Sequence, residues 1–540
     1  MVQTKGKKTK LANAIGLSLA AVILSAAGTT ASAEESKRVI VAFKAGASAN
    51  AKAAVARARG QIKREISGVN AIAAEVPVSS IAALQSDANV DYVEEDVLRY
   101  LPEMETTSDE MSTELSTAAN PASDKSFFSG QRIPYGIAMV QADQLPNGGA
   151  KAGNRKICII DSGYDGKHED LNHGGTVTGE YDSGTGWWYT DENSHGTHVA
   201  GTVAALNNPG TGVVGVIPTQ QLRLHIVKVF GKDGWAYSSE LSDAANKCAA
   251  AGANVISMSL SGPSPSATEQ QVFDALYAKG ILSVAAASNQ GTTNVRYPAG
   301  YASVISVGAL DQNKQWATFS NYNDKVELSA PGVGVLSTIP MNTGVESLLS
   351  VGGVSYAPGA MTGSPLGAVT APLADFGLGT AVNPAMAGKV CLISRGVIPF
   401  STKVLNCQNS GGVAAIVYNN NNGGSFGGTL GGVATTIPSV TASAAEGAAM
   451  LAQVGQNATV TVRPTSYAFF NGTSMATPHV SAVAALVWSY YPMCTAAQIR
   501  NTLVKSAMDL GDPGRDPKFG HGMVQAKAAY DRLKTFGCNN

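Results

Sequence analysis

Between residues 135 and 287, short apolar runs alternate with Ala-rich helical stretches, and this alternation constrains the fold more than any other feature. Apolar runs fall at 156–160 (Lys-Ile-Cys-Ile-Ile), 224–230, 255–260 and 281–287, with helix-patterned stretches at 195–206, 239–251 and 267–279. A run that is apolar at consecutive positions, rather than at every second one, is a strand buried on both faces. Such strands, separated by helices, form a parallel sheet with helices packed on both sides. The expected fold is α/β, in three layers around a mainly parallel central sheet.

The rhythm breaks near Met341. Residues 344–465 are rich in Gly, Ser, Thr, Val and Asn, with strand-like pieces at 389–394 and 414–418, and helical texture returns at 474–491. The stretch reads as a β-rich domain inserted into a loop of the α/β domain, a place where insertion is tolerated. Upstream, residues 34–101 are more charged and carry a small α+β pattern, with strands at 39–43, 72–76 and 90–93 and helices at 49–59 and 79–85. Residues 102–120 contain five acidic residues and no basic one. Such a stretch cannot bury enough apolar surface to fold, so 102–129 reads as a flexible, cleavable linker.

The amino terminus has a mostly basic segment at 5–10, an apolar stretch at 11–28 and a small-residue site, Ala31-Ser32-Ala33, followed at once by Glu34-Glu35. That order matches a secretory signal peptide over 1–33 better than a membrane anchor. Secretion changes the reading of the six cysteines, because exported chains oxidise them. Spacing favours Cys391–Cys407 and Cys494–Cys538, which leaves Cys158–Cys248. No CxxC pair or clustered Cys/His is present, which argues against zinc. The net charge is −1 and only 14% of residues are charged, which excludes electrostatic binding of nucleic acid. An apolar content of 44% excludes a mostly disordered chain.

Three distant segments each carry one reactive side chain. Asp161 follows the first buried strand, in Asp161-Ser-Gly163. His195 opens a helix, in His195-Gly-Thr-His-Val-Ala-Gly-Thr202, and Ser474 opens another, in Gly472-Thr-Ser-Met-Ala-Thr-Pro-His479. Seen alone, each could be a cap or a turn residue. A serine hydroxyl becomes a nucleophile only when a base takes its proton and an acid orients that base. Asp, His and Ser in this chain order on an α/β scaffold are one of few known arrangements of that device.

Taken together, these segments resemble the subtilisin-like (subtilase, peptidase S8) serine proteases over roughly 130–343 and 466–540. The resemblance implies a subtilisin-like three-layer fold and a secreted serine endopeptidase that works through an acyl-enzyme. Asp161, His195 and Ser474 would be its triad, and His198 would be structural. The segment Val284-Ala-Ala-Ala-Ser-Asn-Gln-Gly291 resembles the one that supplies a side-chain oxyanion donor, here Asn289. Ser259, Leu260, Ser261 and Gly262 resemble the substrate-pairing strand, with Ser261 where Gly is common. Ala286 and Ser288 resemble the opposite wall of the S1 pocket. Arg296 stands near the base of that pocket, where a small residue is usual; it would either favour acidic or polar P1 side chains or point into solvent.

The resemblance implies no cofactor for the chemistry. It suggests structural calcium held by Asp170 and Asn208, with backbone oxygens of Thr211 and Val213; a surface carboxylate beside an Asn-Gly turn accounts for the same residues. Residues 34–101 resemble an inhibitory propeptide that helps folding, and 344–465 resemble a protease-associated (PA) domain. The expected partners are protein substrates and the chain's own propeptide, on a monomer with no nucleic acid and no membrane attachment after signal removal. An esterase is disfavoured, because the Gly-x-Ser-x-Gly elbow with Ser ahead of its partners is absent. A decayed, purely binding relative is disfavoured because all four chemical positions are intact.

Overall fold

Strand Lys156–Asp161, buried from Ile157 onward, is the pivot of the architecture. The computed structural model describes residues 34–102, 126–128, 131–145, 152–208, 210–420, 422–424 and 426–539. The expected signal peptide, 1–33, and nearly all of the expected linker, 102–129, lie outside the described residues. Seven parallel strands form the central sheet, in the order Val326–Pro331, Val304–Leu310, Leu282–Ala286, Val255–Met258, Lys156–Asp161, Arg223–Lys228, Val177–Gly179.

Alternate residues of the pivot strand feed two cores. Ile157 and Ile159 pack with Val199 and Val203 of helix His195–Ala204 and with Met475, Val480 and Val483 of helix Thr473–Tyr490. Cys158 and Ile160 pack with Leu241 and Ala245 of helix Ser238–Ala250 and Phe273 of helix Ala267–Ala278. Both faces are therefore covered, which is why the strand sequences carry no polar alternation. The disulfide Cys158–Cys248 joins the pivot strand to the helix over it, and Cys391–Cys407 and Cys494–Cys538 are also formed.

The chain leaves the pivot strand towards Arg223–Lys228 on one side and later returns to Val255–Met258 on the other. Such a reversal opens a crevice at the carboxyl ends of the strands, the usual position of an α/β site. Asp161 stands at its head.

Residues 344–465 form a second seven-stranded sheet, in the order Val354–Tyr356, Gly344–Val351, Asn457–Thr465, Gly367–Asp375, Val390–Ser394, Ala414–Tyr418, Ser439–Ala442. The first four strands run antiparallel and the last four parallel. Its first and last long strands pair from Gly344 opposite Thr465, so entry and exit are adjacent. Two helices, Phe400–Asn409 and Ala444–Leu451, accompany the parallel half and escape a purely β reading of the sequence. The second contains Gly447, a poor helix former, but a Cβ there would lie 2.3 Å from the Tyr418 ring, so close packing requires it.

Residues 34–102 form a four-stranded antiparallel sheet, ordered Gln61–Ile66, Ala71–Pro77, Ser36–Phe43, Val90–Glu95, with helices Ser48–Arg57 and Ile81–Gln85. The edge strand Gln61–Ile66 is largely exposed and charged, which hides it from apolar pattern reading. Two acidic side chains of this unit cap helices of the central one. Asp96 accepts from the Ser239 N–H at 3.0 Å and the Ser239 hydroxyl at 2.7 Å, at the start of helix Ser238–Ala250. Glu94 accepts from the Ala267 and Thr268 N–H groups at 2.7 and 2.9 Å, at the start of helix Ala267–Ala278. A carboxylate at a helix amino terminus meets unpaired N–H donors and the positive end of the dipole. Beyond these caps, strand Leu98–Tyr100 pairs antiparallel with Trp235–Tyr237, and Tyr100 exchanges two 2.9 Å hydrogen bonds with Ser261. Among the described residues no helix is long and apolar enough to cross a membrane.

Candidate active site

Asp161 and His195 meet at the crevice, and Ser474 opens a helix that packs into the same core as the His195 helix. Asp161 Oδ1 accepts from its neighbour's Ser162 N–H at 2.7 Å and from His195 Nδ1 at 2.7 Å. Asp161 and His195 are fully buried, and Ser474 is 2% exposed. With Nδ1–H donated to the carboxylate, Nε2 is the imidazole's acceptor. Nε2 is buried and makes no hydrogen bond, so its lone pair is uncommitted.

The local sequence explains why these groups meet. Gly163 has φ +124°, and a Cβ there would sit 1.9 Å from the Thr190 carbonyl oxygen, so only Gly lets the Asp161 turn press against the segment carrying His195. Asp191 then ties the two together. Its Oδ1 accepts from the Ser162 hydroxyl and the Ser194 N–H, each at 2.9 Å, and its Oδ2 accepts from the Thr197 N–H at 2.9 Å. Sequence reading passes over Asp191; the available signal is an acid just ahead of a helix start.

Ser474 is the second residue of helix Thr473–Tyr490, buried throughout residues 473–489. Pro478 lies four residues on and has no N–H for the Ser474 carbonyl. That carbonyl instead accepts the Ser259 hydroxyl at 2.7 Å, while the Ser474 hydroxyl donates to the Ser259 carbonyl at 3.2 Å. The helix interruption thus locks the Ser474 backbone to the segment 259–262. Gly472 has φ +153°. A Cβ on Gly472 would lie 3.0 Å from Asn289 Nδ2 and 3.5 Å from the Ser474 nitrogen, so both nitrogens flank one point. Asn289 Oδ1 is held by the Thr473 N–H at 2.9 Å and the Thr473 hydroxyl at 2.8 Å.

His198 faces away from this chemistry. Its Nε2 lies 3.0 Å from the Val335 carbonyl and 3.1 Å from the Ala468 carbonyl, and its ring stacks on Phe470 at 4.3 Å. Burial pushes it down to about 3, so it stays neutral and bridges two strands.

Ser259, Leu260, Ser261 and Gly262 follow strand Val255–Met258 as one wall of the crevice. Gly262 pairs with Tyr297 through hydrogen bonds of 2.8 and 3.0 Å, which sets the half-buried Arg296 beside that wall. Ala286 ends strand Leu282–Ala286 on the other side. Ser288 adopts φ +93°, a strained conformation for a residue with a Cβ. Its hydroxyl shares a 2.9 Å hydrogen bond with Ser261, and its N–H donates to the Thr473 hydroxyl at 3.1 Å, tying both walls to the Ser474 helix.

Asp170 lies apart from this crevice, against the loop 206–213. Its Oδ2 accepts from the Val213 N–H at 2.8 Å and the Tyr467 hydroxyl at 2.9 Å, and its Oδ1 from the Asn208 amide at 3.1 Å. Thr211 closes the turn, donating its N–H to the Asn208 carbonyl at 3.0 Å. Gln131, not singled out by sequence reading, points its amide nitrogen at the Leu206 and Val213 carbonyls, at 2.9 and 3.1 Å, while its buried Oε1 has no partner. Two amides thus face a group of oxygens, and a half-turn of each would present oxygens instead. Carboxylate, amide and carbonyl oxygens are the donor set of a hard cation, so these residues fit calcium. No group of three or more His, Cys, Asp or Glu side chains suited to a metal exists among the described residues.

With this sheet and the relatives it matches, the chain is a subtilisin-like serine endopeptidase. The chain matches the subtilase family, Peptidase_S8, over residues 153–364 and 405–522, and it belongs to that family. It is 43% identical over 404 residues to subtilisin DY of Bacillus licheniformis, spanning 74% of this chain and 99% of that protein. It is 35% identical over 316 residues to subtilisin NAT of Bacillus subtilis subsp. natto, spanning 57% of this chain and 74% of that one. The crystal structure of the psychrophilic subtilisin-like protease Apa1 from the Antarctic psychrotroph Pseudoalteromonas sp. AS-11 aligns with TM-score 0.60 and 41% identity, covering 76% of this chain and 99% of that one.

Proposed function

We propose that the chain is made as a secreted zymogen whose triad is Asp161, His195 and Ser474. Ser474 Oγ attacks the scissile carbonyl while His195 Nε2 takes its proton, and Asp161 holds the tautomer and stabilises the imidazolium. Asn289 Nδ2 and the Ser474 N–H receive the developing oxyanion, aided by the dipole of the helix behind them. His195 returns the proton to the leaving amine, and water releases the acyl-enzyme by the reverse route. The observation that carries this reading is the 2.7 Å hydrogen bond from His195 Nδ1 to a fully buried Asp161, which leaves Nε2 as the only acceptor of the ring.

Residues 34–101 act as the inhibitory propeptide in this reading. Tyr100 lies along Ser261 where an extended substrate strand would lie, and Asp96 and Glu94 clamp the same unit to two helices. The parallel sheet depends on non-local pairing, which forms slowly, so helix starts presented together give folding a template. The segment 1–33 directs export, calcium sits at Asp170, Asn208 and Gln131, and the insert 344–465 is a PA domain that engages protein substrates.

Hydrolysis of casein by the secreted protein tests this reading. It should be blocked by a serine-directed covalent inhibitor and lost in Ser474→Ala, which should also accumulate with residues 34–101 still attached. An active Ser474→Ala protein would overturn the assignment.

A further inference from the structure

The most deeply buried arginine of the molecule belongs to the segment that lies in the substrate track. Arg99 and Glu269 are both fully buried and face each other across 170 residues of sequence. Arg99 Nε donates to Glu269 Oε1 at 2.9 Å and Nη2 donates to Oε2 at 2.6 Å, a two-pronged pair. The Tyr301 hydroxyl donates to Glu269 Oε2 at 2.7 Å and so aims the carboxylate. A Cβ on Gly262 would lie 2.6 Å from Arg99 Nη1 and 3.1 Å from Cδ, so the bare glycine is what admits the arginine stem. Glu269 stands in the first turn of helix Ala267–Ala278, where a negative charge is favoured.

The register locates this contact relative to the chemistry. Tyr100 is opposite Ser261 in an antiparallel pair, so residue 102 falls opposite Ser259. The Ser259 carbonyl is the group that accepts the Ser474 hydroxyl. A peptide bond following residue 102 would therefore lie at the nucleophile, and Arg99 is the fourth residue before it. Side chains of an extended strand alternate, and here Tyr100 is exposed while Arg99 points inward. Any substrate on the same track presents its own fourth residue to Glu269.

We infer that Glu269, aimed by Tyr301, makes the fourth non-primed subsite of this protease selective for arginine, with Arg99 of the chain's own amino-terminal unit as its resident ligand. The inference rests on the reading that segment 98–102 lies where substrates lie. An apolar fourth residue leaves a carboxylate buried without its counter-ion, which is strongly unfavourable. Lysine supplies the charge without the planar fork and should rank between the two.

The mature enzyme, activated from the full chain, is assayed on fluorogenic peptides identical except for Arg, Lys, Leu or Glu at the fourth position. A shorter peptide that ends at the third position reports the triad separately. The Arg peptide should exceed the Leu peptide in kcat/KM by about a hundredfold, since sites built around a buried polar group reject ligands lacking its partner. Glu269→Leu and the isosteric Glu269→Gln should each collapse that ratio to about one or below. Equal wild-type rates on Arg and Leu peptides overturn the inference even if no variant folds. A variant that keeps the Arg preference removes Glu269 from it. Failure to cleave the shorter peptide as well would instead count against the proposed triad.

Discussion

Thr473 grips the Asn289 carbonyl oxygen with both its N–H and its hydroxyl, and so turns the amide nitrogen towards the Ser474 N–H. A donor preorganised in this way acts on the transition state more than on the bound substrate. Asn289→Ala should lower kcat about a hundredfold or more with little change in KM, as steady-state kinetics on a peptide substrate would show. A near-normal kcat would remove Asn289 from the oxyanion site. Asp161, His195, Ser474 and Asn289 could be proposed from the sequence, because each sits in a motif a few residues long. Asp191, Gln131 and Glu269 were not read from it. The partners of Gln131 and Glu269 lie on other segments, 75 residues away for Gln131 with Leu206 and 170 for Glu269 with Arg99. No local pattern announces such a pair.

At the scale of elements, the buried strands and the long helices read from the sequence matched their apolar patterns, because burial on both faces leaves a continuous run. Among the elements not read from the sequence are the charged edge strand Gln61–Ile66 and the Gly-containing helix Ala444–Leu451, whose patterns are diluted, and also the buried strands Val304–Leu310 and Val326–Pro331. The loop 206–213 is the element where structure changes the expectation in detail. Val213 was expected to offer only a backbone oxygen, yet its N–H is bonded to Asp170 while its carbonyl faces Gln131. If a cation lies among these oxygens, EDTA should lower the thermal midpoint of the mature enzyme, calcium should restore it, and Asp170→Asn should abolish the response. An identical midpoint with and without EDTA would exclude a tight site. The stabilisation scales with the ratio of free ion to Kd, so the titration also yields the affinity.

On the scale of the whole molecule, the amino-terminal unit meets the central unit through a network of charged and polar contacts that includes Arg38–Glu240, Arg64–Asp243 and Arg99–Glu269. The amino-terminal unit spans the carboxylate caps on two helices and then the substrate wall. The insert is rooted where Gly344 pairs with Thr465, and directly opposed Cα atoms in such a ladder are about 5 Å apart. A tight turn can therefore replace 345–464. That deletion should leave cleavage of small peptides intact and slow cleavage of casein; equal loss on both substrates would mean that the insert supports the catalytic fold instead. The sequence by itself determined the α/β class and the family, because those depend on short-range pattern and motif. Only the tertiary structure decided that Ser259 and Ser474 lock each other, that Asp191 joins the Asp161 turn to the His195 helix, and that Arg99 fills a carboxylate-based pocket. The physical reason is common to all three: a buried polar group must find its partner in space, and the chain can bring that partner from any distance along itself.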